Sequence, residues 1–299
     1  MKRTGEKKQI VYALLTVFLW ATMAPAVKLM QDSVPTTEVL FIAGVFSVVF
    51  LLGRLIANGK AREYKTFGAR NYKVVLGLGF LGFFVYEFLY YFGIAQLTAS
   101  TACILNYLWP VMLVLFSCLI LKEPFTTRKV IAMVASFLGV VVLSAGGNDQ
   151  YGAHPVLGIV GCIVAAVSYG LFSVLNKRED LDQDLCMPIY WGVTMVSGLI
   201  AGFVEGGWTM PDLKTWLILA WLGVMANAVG YLIWAIALND SKNSARIANF
   251  AFLVPVLSML LSALILREQI HWNGIVALAL ILGGILYQSY EKKTGEPNE

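Results

Sequence analysis

Residues 104–115 read ILNYLWPVMLVL, an apolar run interrupted by Asn106, Tyr107, Trp109 and Pro110. At about 100° per residue on a helix, these four fall within an arc of about 160°, and aliphatic residues fill the opposite arc. One face therefore suits lipid or packing, and the other suits a polar cavity walled by rings. FFVYEFLYYF repeats the pattern, with Tyr86, Glu87, Tyr90 and Tyr91 within about 140° of one another. Asn227, Tyr231 and Trp234 recur at i, i+4 and i+7, and Tyr169, Phe172, Ser173 and Asn176 form a similar stripe. Trp20 shares a face with Thr16 and Met23, and Asn249, Phe250 and Phe252 offer a weaker equivalent. Any single stripe could be interhelical glue, since asparagine and tyrosine bond across membrane helices. Several of them, in matching places along the chain, point to one shared chamber.

The chemistry such a chamber offers is recognition. Ring contacts contribute about 0.5–1.5 kcal/mol per pair, and a desolvated cation over a ring face about 2 kcal/mol. Glu87 lies near the middle of its apolar run, where a charge costs about 2.5–3.5 kcal/mol on insertion scales. It is either a protonated acid bonded to a neighbouring helix or a cavity carboxylate that meets a substrate ammonium or exchanges a proton. Intramembrane carboxylates usually mark a pathway, which favours the second.

Composition says what must position these residues. The chain is 59% hydrophobic and 13% charged, against about 25% charge in soluble domains, and its mean hydropathy is +0.73. Apolar runs of membrane-crossing length and the lack of ten-residue alternation predict an all-α integral membrane protein. Ten spans are expected: 10–30, 36–57, 73–95, 99–121, 128–146, 155–176, 186–205, 214–238, 244–266 and 272–290. They are cut by a basic connector (Lys60–Arg70), a GGNDQYG turn (146–152) and a KREDLDQD loop (177–184), and 291–299 form a polar tail. With the N-terminus inside, nineteen of the 22 basic residues fall on the interior side; only Lys28, Lys214 and Arg267 do not. Both termini are thus expected in the cytoplasm and the protein in the cytoplasmic membrane.

The chain also repeats itself. Pro110 pairs with Pro255, Leu121-Lys122-Glu123 with Leu266-Arg267-Glu268, and Tyr86 with Tyr231; FLWATMAPAVK ending at Lys28 matches VSYGLFSVLNK ending at Lys177. Two units follow, 10–146 and 155–290, of five helices each. Because the first span has a partner in the second unit, it is a span and not a cleaved signal. Five is odd, so the copies lie inverted in the membrane, an arrangement that places a ligand site at the midplane and alternates access by rocking. Pro25, Pro110 and Pro255 are the expected hinges.

Other residues carry no chemistry. The four cysteines are scattered apolar packing residues, and no metal or cofactor spacing surrounds His154 or His271. Trp208, Trp216 and Trp272 suit interfacial anchoring, and Glu123 and Glu268 suit ion pairing with Lys122 and Arg267. There is no nucleotide-binding loop, no nucleophile–base order, and no basic face for nucleic acid; the expected partners are a small molecule and the bilayer, and a monomer is compatible with the pattern, which does not set the oligomeric state.

The paired L-K/R-E corners with Pro110 and Pro255 resemble the drug/metabolite transporter superfamily, in its branch of two EamA repeats. NYLWP (106–110), FLWATM (18–23), Tyr86-Glu87 and YLIW (231–234) resemble YddG-type exporters of aromatic amino acids. The resemblance implies a basket of helices around a central cavity lined by Trp20, Tyr86, Glu87, Tyr107, Trp109 and Tyr231. The sequence thus leads to an exporter of aromatic or hydrophobic amino acids. Tyr90, Asn106, Tyr169, Asn227, Trp234 and Asn249 complete the site, and Glu87 is the proton-coupling candidate. The alternatives are an exporter of cationic or lipophilic amines and, further off, a membrane-embedded enzyme.

Overall fold

The computed structural model describes residues 2–145, 151–239 and 249–289, and among them every regular element is helical. In chain order the α-helices are α1 (Lys2–Ala21), α2 (Met23–Met30), α3 (Thr36–Ala57), α4 (Ala69–Gly79), α5 (Tyr86–Gln96), α6 (Ala99–Asn106) and α7 (Trp109–Ile120). Then come α8 (Thr127–Ala145), α9 (Pro155–Glu179), α10 (Gln183–Glu205), α11 (Leu213–Ala220), α12 (Gly230–Asn239), α13 (Leu253–Leu266) and α14 (Trp272–Ser289). Seven helical stretches are long and apolar enough to cross a membrane, and Phe250–Leu266 and Trp272–Tyr287 are shorter apolar helices. The protein is a multi-pass membrane protein.

Three breaks follow from proline. A proline lacks the N–H that would bond the carbonyl four residues back, so Pro25, Pro110 and Pro255 free the carbonyls of Ala21, Asn106 and Ala251. The chain breaks beside each: between α1 and α2, between α6 and α7, and between a 3-10 turn (Asn249–Phe252) and α13. The freed Ala251 carbonyl accepts a hydrogen bond from the Tyr107 hydroxyl, so a break in the second half is closed by a side chain from the first.

Two further irregularities come as a pair. Phe80–Val85 and Trp221–Val229 are π-helical, and each ends just before Tyr86 or Gly230-Tyr231. A π turn widens the helix and frees carbonyls, and such turns cluster at functional sites. Ser168 Oγ donates to Leu81 O (2.6 Å) and Ser47 Oγ to Gly223 O (2.9 Å), satisfying one carbonyl in each.

Two charged connectors are tighter than their composition suggests. Lys60–Thr66 coils into a 3-10 helix. The KREDLDQD loop shrinks to residues 180–182, because α9 runs on to Glu179 and stops where Asp180 turns left-handed (φ 47°). Residues 146–150 of the GGNDQYG turn, the basic residues Lys242 and Arg246, and the 291–299 tail lie outside the described residues.

Packing pairs α3 with α10 and α8 with α14 along their lengths. Glycine permits the approach: a Cβ on Gly198 would sit 2.9 Å from Thr37 O, and one on Gly284 2.9 Å from Ala132 O. Small residues play this role wherever helices meet without a hydrophobic driving force.

Candidate functional site

The middle of the bundle holds a cavity of about 70 Å³ lined by Trp20, Met23, Tyr86, Tyr90, Cys103, Asn106, Tyr107, Trp109, Tyr169, Tyr231, Trp234 and Val254. These residues come from α1, α2, α5, α6, the break after α6 (Tyr107) and α7 in the first half of the chain, and from α9, α12 and α13 in the second. The rings pack in two sets, Trp20–Tyr231 at 5.0 Å with Trp20–Trp234 at 5.3 Å, and Tyr86–Tyr169 at 4.7 Å with Trp109–Tyr169 at 5.3 Å between centroids. Such separations suit tilted and edge contacts, and leave flat faces for a guest. Asn106 Nδ2 donates to Tyr86 Oη (2.9 Å), leaving Asn106 Oδ1 without a partner among the described residues. No lining residue is ionic.

The structure therefore gathers most of the expected residues and sets three apart. Glu87 is fully buried but does not line the cavity; its carboxyl instead faces the Tyr91 hydroxyl, one turn further along α5. Asn227 faces a side pocket with Leu51, Arg54, Asp184 and Trp191, next to Tyr231. Asn249 opens the 3-10 turn beside α13, and its side chain lies outside the described residues. Trp208, Trp216 and Trp272 are exposed at 39%, 41% and 71%, as membrane-surface anchors should be.

Among the described residues, one end of the bundle is open. A vestibule of about 820 Å³ leads from Arg54, Lys60, Lys177, Asp180, Asp182 and Asp184 down to Trp109, Tyr169, Tyr231 and Trp234, which it shares with the cavity. Its rim is a charge network: Arg54–Asp184 at 3.0 Å, Lys60–Asp184 at 2.7 Å and Lys60–Asp182 at 3.2 Å. Hydrogen bonds to those two aspartates raise the proton affinity of Lys60.

The other end is shut. Lys28 Nζ donates to Ile94 O (3.0 Å) and Leu97 O (2.6 Å). Glu268 accepts from Ala99 N (2.6 Å), Ser100 N (3.0 Å) and Ser100 Oγ (2.6 Å). Glu38 holds Thr209 through its N–H and hydroxyl (2.9 Å each), and Thr37 donates to Glu205 (2.7 Å). Glu268, expected to pair with Arg267, instead caps a helix in the other half of the chain. The signal was available, because Thr98-Ala99-Ser100 reads as a helix start that a nearby carboxylate would complete.

A multi-pass helical protein with a ring-walled central cavity, open at one end and sealed at the other, has the anatomy of a carrier. The model of the EamA-like transporter family matches residues 7–145 and again 156–290, and the chain belongs to that family. A transporter of Clostridium kluyveri is 26% identical, over 97% of this chain and 96% of its own. The aromatic amino acid exporter YddG of Ancylobacter novellus is 27% identical, over 90% and 92%. A probable terminal-alkyne amino-acid exporter of Streptantibioticus cattleyicolor is 24% identical, over 92% of each chain. These relatives are named as transporters or exporters and not as enzymes. A crystal structure with 21% identity superposes with a TM-score of 0.67, over 93% of this chain and 94% of that one, and shows the same fold.

Proposed function

We propose that the protein exports aromatic or other hydrophobic amino acids across the cytoplasmic membrane by alternating access. Ten spans in two inverted units, 10–146 and 155–290, enclose the site, and the basic end of the bundle lies in the cytoplasm. The observation that carries this is the composition of the cavity wall. Trp20, Tyr86, Asn106 and Trp109 from the first unit meet Tyr169, Tyr231 and Trp234 from the second around one void. A site shared between inverted halves is what rocking exposes to each side in turn. With the vestibule at the basic end, this conformation is the one that loads from the cytoplasm. Pro25, Pro110 and Pro255 mark the breaks about which the halves bend. The named amino-acid exporters among the relatives support the substrate class.

Glu87 takes the proton role in this account. Sealed behind the wall beside the Tyr91 hydroxyl, it carries a proton across the cycle and does not touch the substrate ammonium, which falls to Asn106 Oδ1 and the ring faces. A second reading, export of organic amines, draws on the lack of a cationic group at the cavity wall to meet a carboxylate.

Liposomes carrying the purified protein and loaded with labelled phenylalanine or tryptophan should release label faster than protein-free liposomes. Exchange of quaternary amines alone would select the second reading, and consumption of solute without movement would indicate an enzyme. Glu87→Gln should flatten the pH dependence of transport; an unchanged profile would return Glu87 to packing.

A further inference from the structure

Ser47, Leu51 and Arg54 recur at i, i+4 and i+7 on α3 and so share one face. Ser47 Oγ donates to the Gly223 carbonyl (2.9 Å), which seats the second π-helical stretch against that face. Asp184, Met187 and Trp191 recur at i, i+3 and i+7 on α10, the helix packed along α3. Where these faces meet Asn227 and Tyr231 they leave a side pocket of about 30 Å³. Tyr231 walls both this pocket and the central cavity. The pocket also shares Arg54, Asp184, Met187 and Leu232 with the approach at the basic end.

Its polar groups form a complementary set. Arg54 and Asp184 pair at 3.0 Å through one guanidinium nitrogen, Nη1, so the planar fork keeps donors for a second carboxylate. Trp191 Nε1, a donor, and Asn227 Oδ1, an acceptor, belong to side chains 1% exposed, and neither atom has a partner among the described residues. Leaving a buried polar atom unpaired is costly, so a guest that pairs both is favoured. A zwitterion meets all four groups: its carboxylate suits Arg54 and Trp191, and its ammonium suits Asp184 and Asn227. A simple amine or a simple acid meets half of them. The volume holds about two water-sized groups, enough for the charged head of an amino acid. Its ring would stay in the approach against Met187, Tyr231 and Leu232.

We propose that this pocket is a head-group subsite for α-amino acids on the route to the central cavity. Arg54 and Trp191 Nε1 receive the carboxylate, and Asp184 and Asn227 Oδ1 receive the ammonium. The inference rests on the amino-acid reading and supplies what the central cavity lacks, a cationic group to meet a carboxylate. The carboxylate is selected here, before the ring passes Tyr231.

The test is inhibition of labelled phenylalanine exchange in liposomes carrying the full-length protein. The unlabelled competitors are phenylalanine, phenethylamine, which lacks the carboxylate, and 3-phenylpropanoate, which lacks the ammonium. In the wild type each analogue should compete at least about tenfold more weakly than phenylalanine. In Arg54→Gln phenylalanine should weaken about tenfold, and phenethylamine by no more than about twofold. In Asn227→Leu phenylalanine and phenethylamine should weaken about threefold, with 3-phenylpropanoate unmoved. Trp191→Phe removes the indole N–H but keeps a ring against Phe83 and Tyr231. It should weaken phenylalanine and 3-phenylpropanoate about threefold, and it carries the test if Arg54→Gln fails to fold or to transport. Equal weakening of all three competitors by these variants, or of none, would overturn the subsite and leave amino-acid export standing. A wild type that moves no phenylalanine would overturn the amino-acid reading and the subsite with it.

Discussion

The two ends of the molecule are built from matching corners and yet differ in everything that touches them. At the basic end, carboxylates and cations line an approach about 820 Å³ in volume. At the other end, Lys28, Glu38, Glu205 and Glu268 are consumed in bonds between helices. The backbone of the two corners is alike, so the contrast lies in the side chains around them. A carrier needs two ends able to hold either state, around a site whose walls do not change identity.

Substitutions can sharpen or break the contrast. The largest effect is expected where the open approach meets the cavity. Trp109→Ala removes rings packed on Tyr107 and Tyr169, and transport should fall about 30-fold, since each lost ring contact removes on the order of 1 kcal/mol. Trp208→Ala, at the membrane surface of the shut end, should leave transport within about twofold. Equal losses in a side-by-side liposome assay would remove the cavity assignment.

Next in size is the bond that closes the Pro255 break. Tyr107→Phe leaves the Ala251 carbonyl buried without its donor, at a cost of about 1–3 kcal/mol, readable as a lower melting temperature in detergent. A variant as stable as the wild type would mean that the break is satisfied in some other way. Smallest is the difference between two lysines. Lys28→Met, at the shut end, should destabilise by about 1 kcal/mol, whereas Lys60→Met, on the solvent-facing rim, should cost no more than about 0.5 kcal/mol. The reverse order would mean that the rim and not the seal holds the bundle together.

Much of this architecture is legible in the sequence. Apolar length located the helices, and the helical spacing of Trp20, Tyr86, Tyr90, Asn106, Trp109, Tyr169, Tyr231 and Trp234 put them on faces that meet. The spacing failed for Glu87 and Asn227. A helical wheel assumes 3.6 residues per turn, and both residues sit at or beside π turns, where the helix widens and the faces rotate. Nothing in FLGFFV or WLGVMANAV announces that widening, and the serines that meet the Leu81 and Gly223 carbonyls lie on other helices. Glu268 departs from its sequence expectation because its neighbour in sequence is Arg267, while its neighbours in space lie 168 and 169 residues away.

The account's central claim is that residues of both units form one binding site, and direct ligand binding tests it. Radiolabelled phenylalanine should bind the purified protein saturably, and both Trp20→Ala from the first unit and Tyr231→Ala from the second should abolish that binding, with folding verified by the melting temperature. Saturable binding lost through only one of the two, or retained in both, would contradict a site shared between the halves.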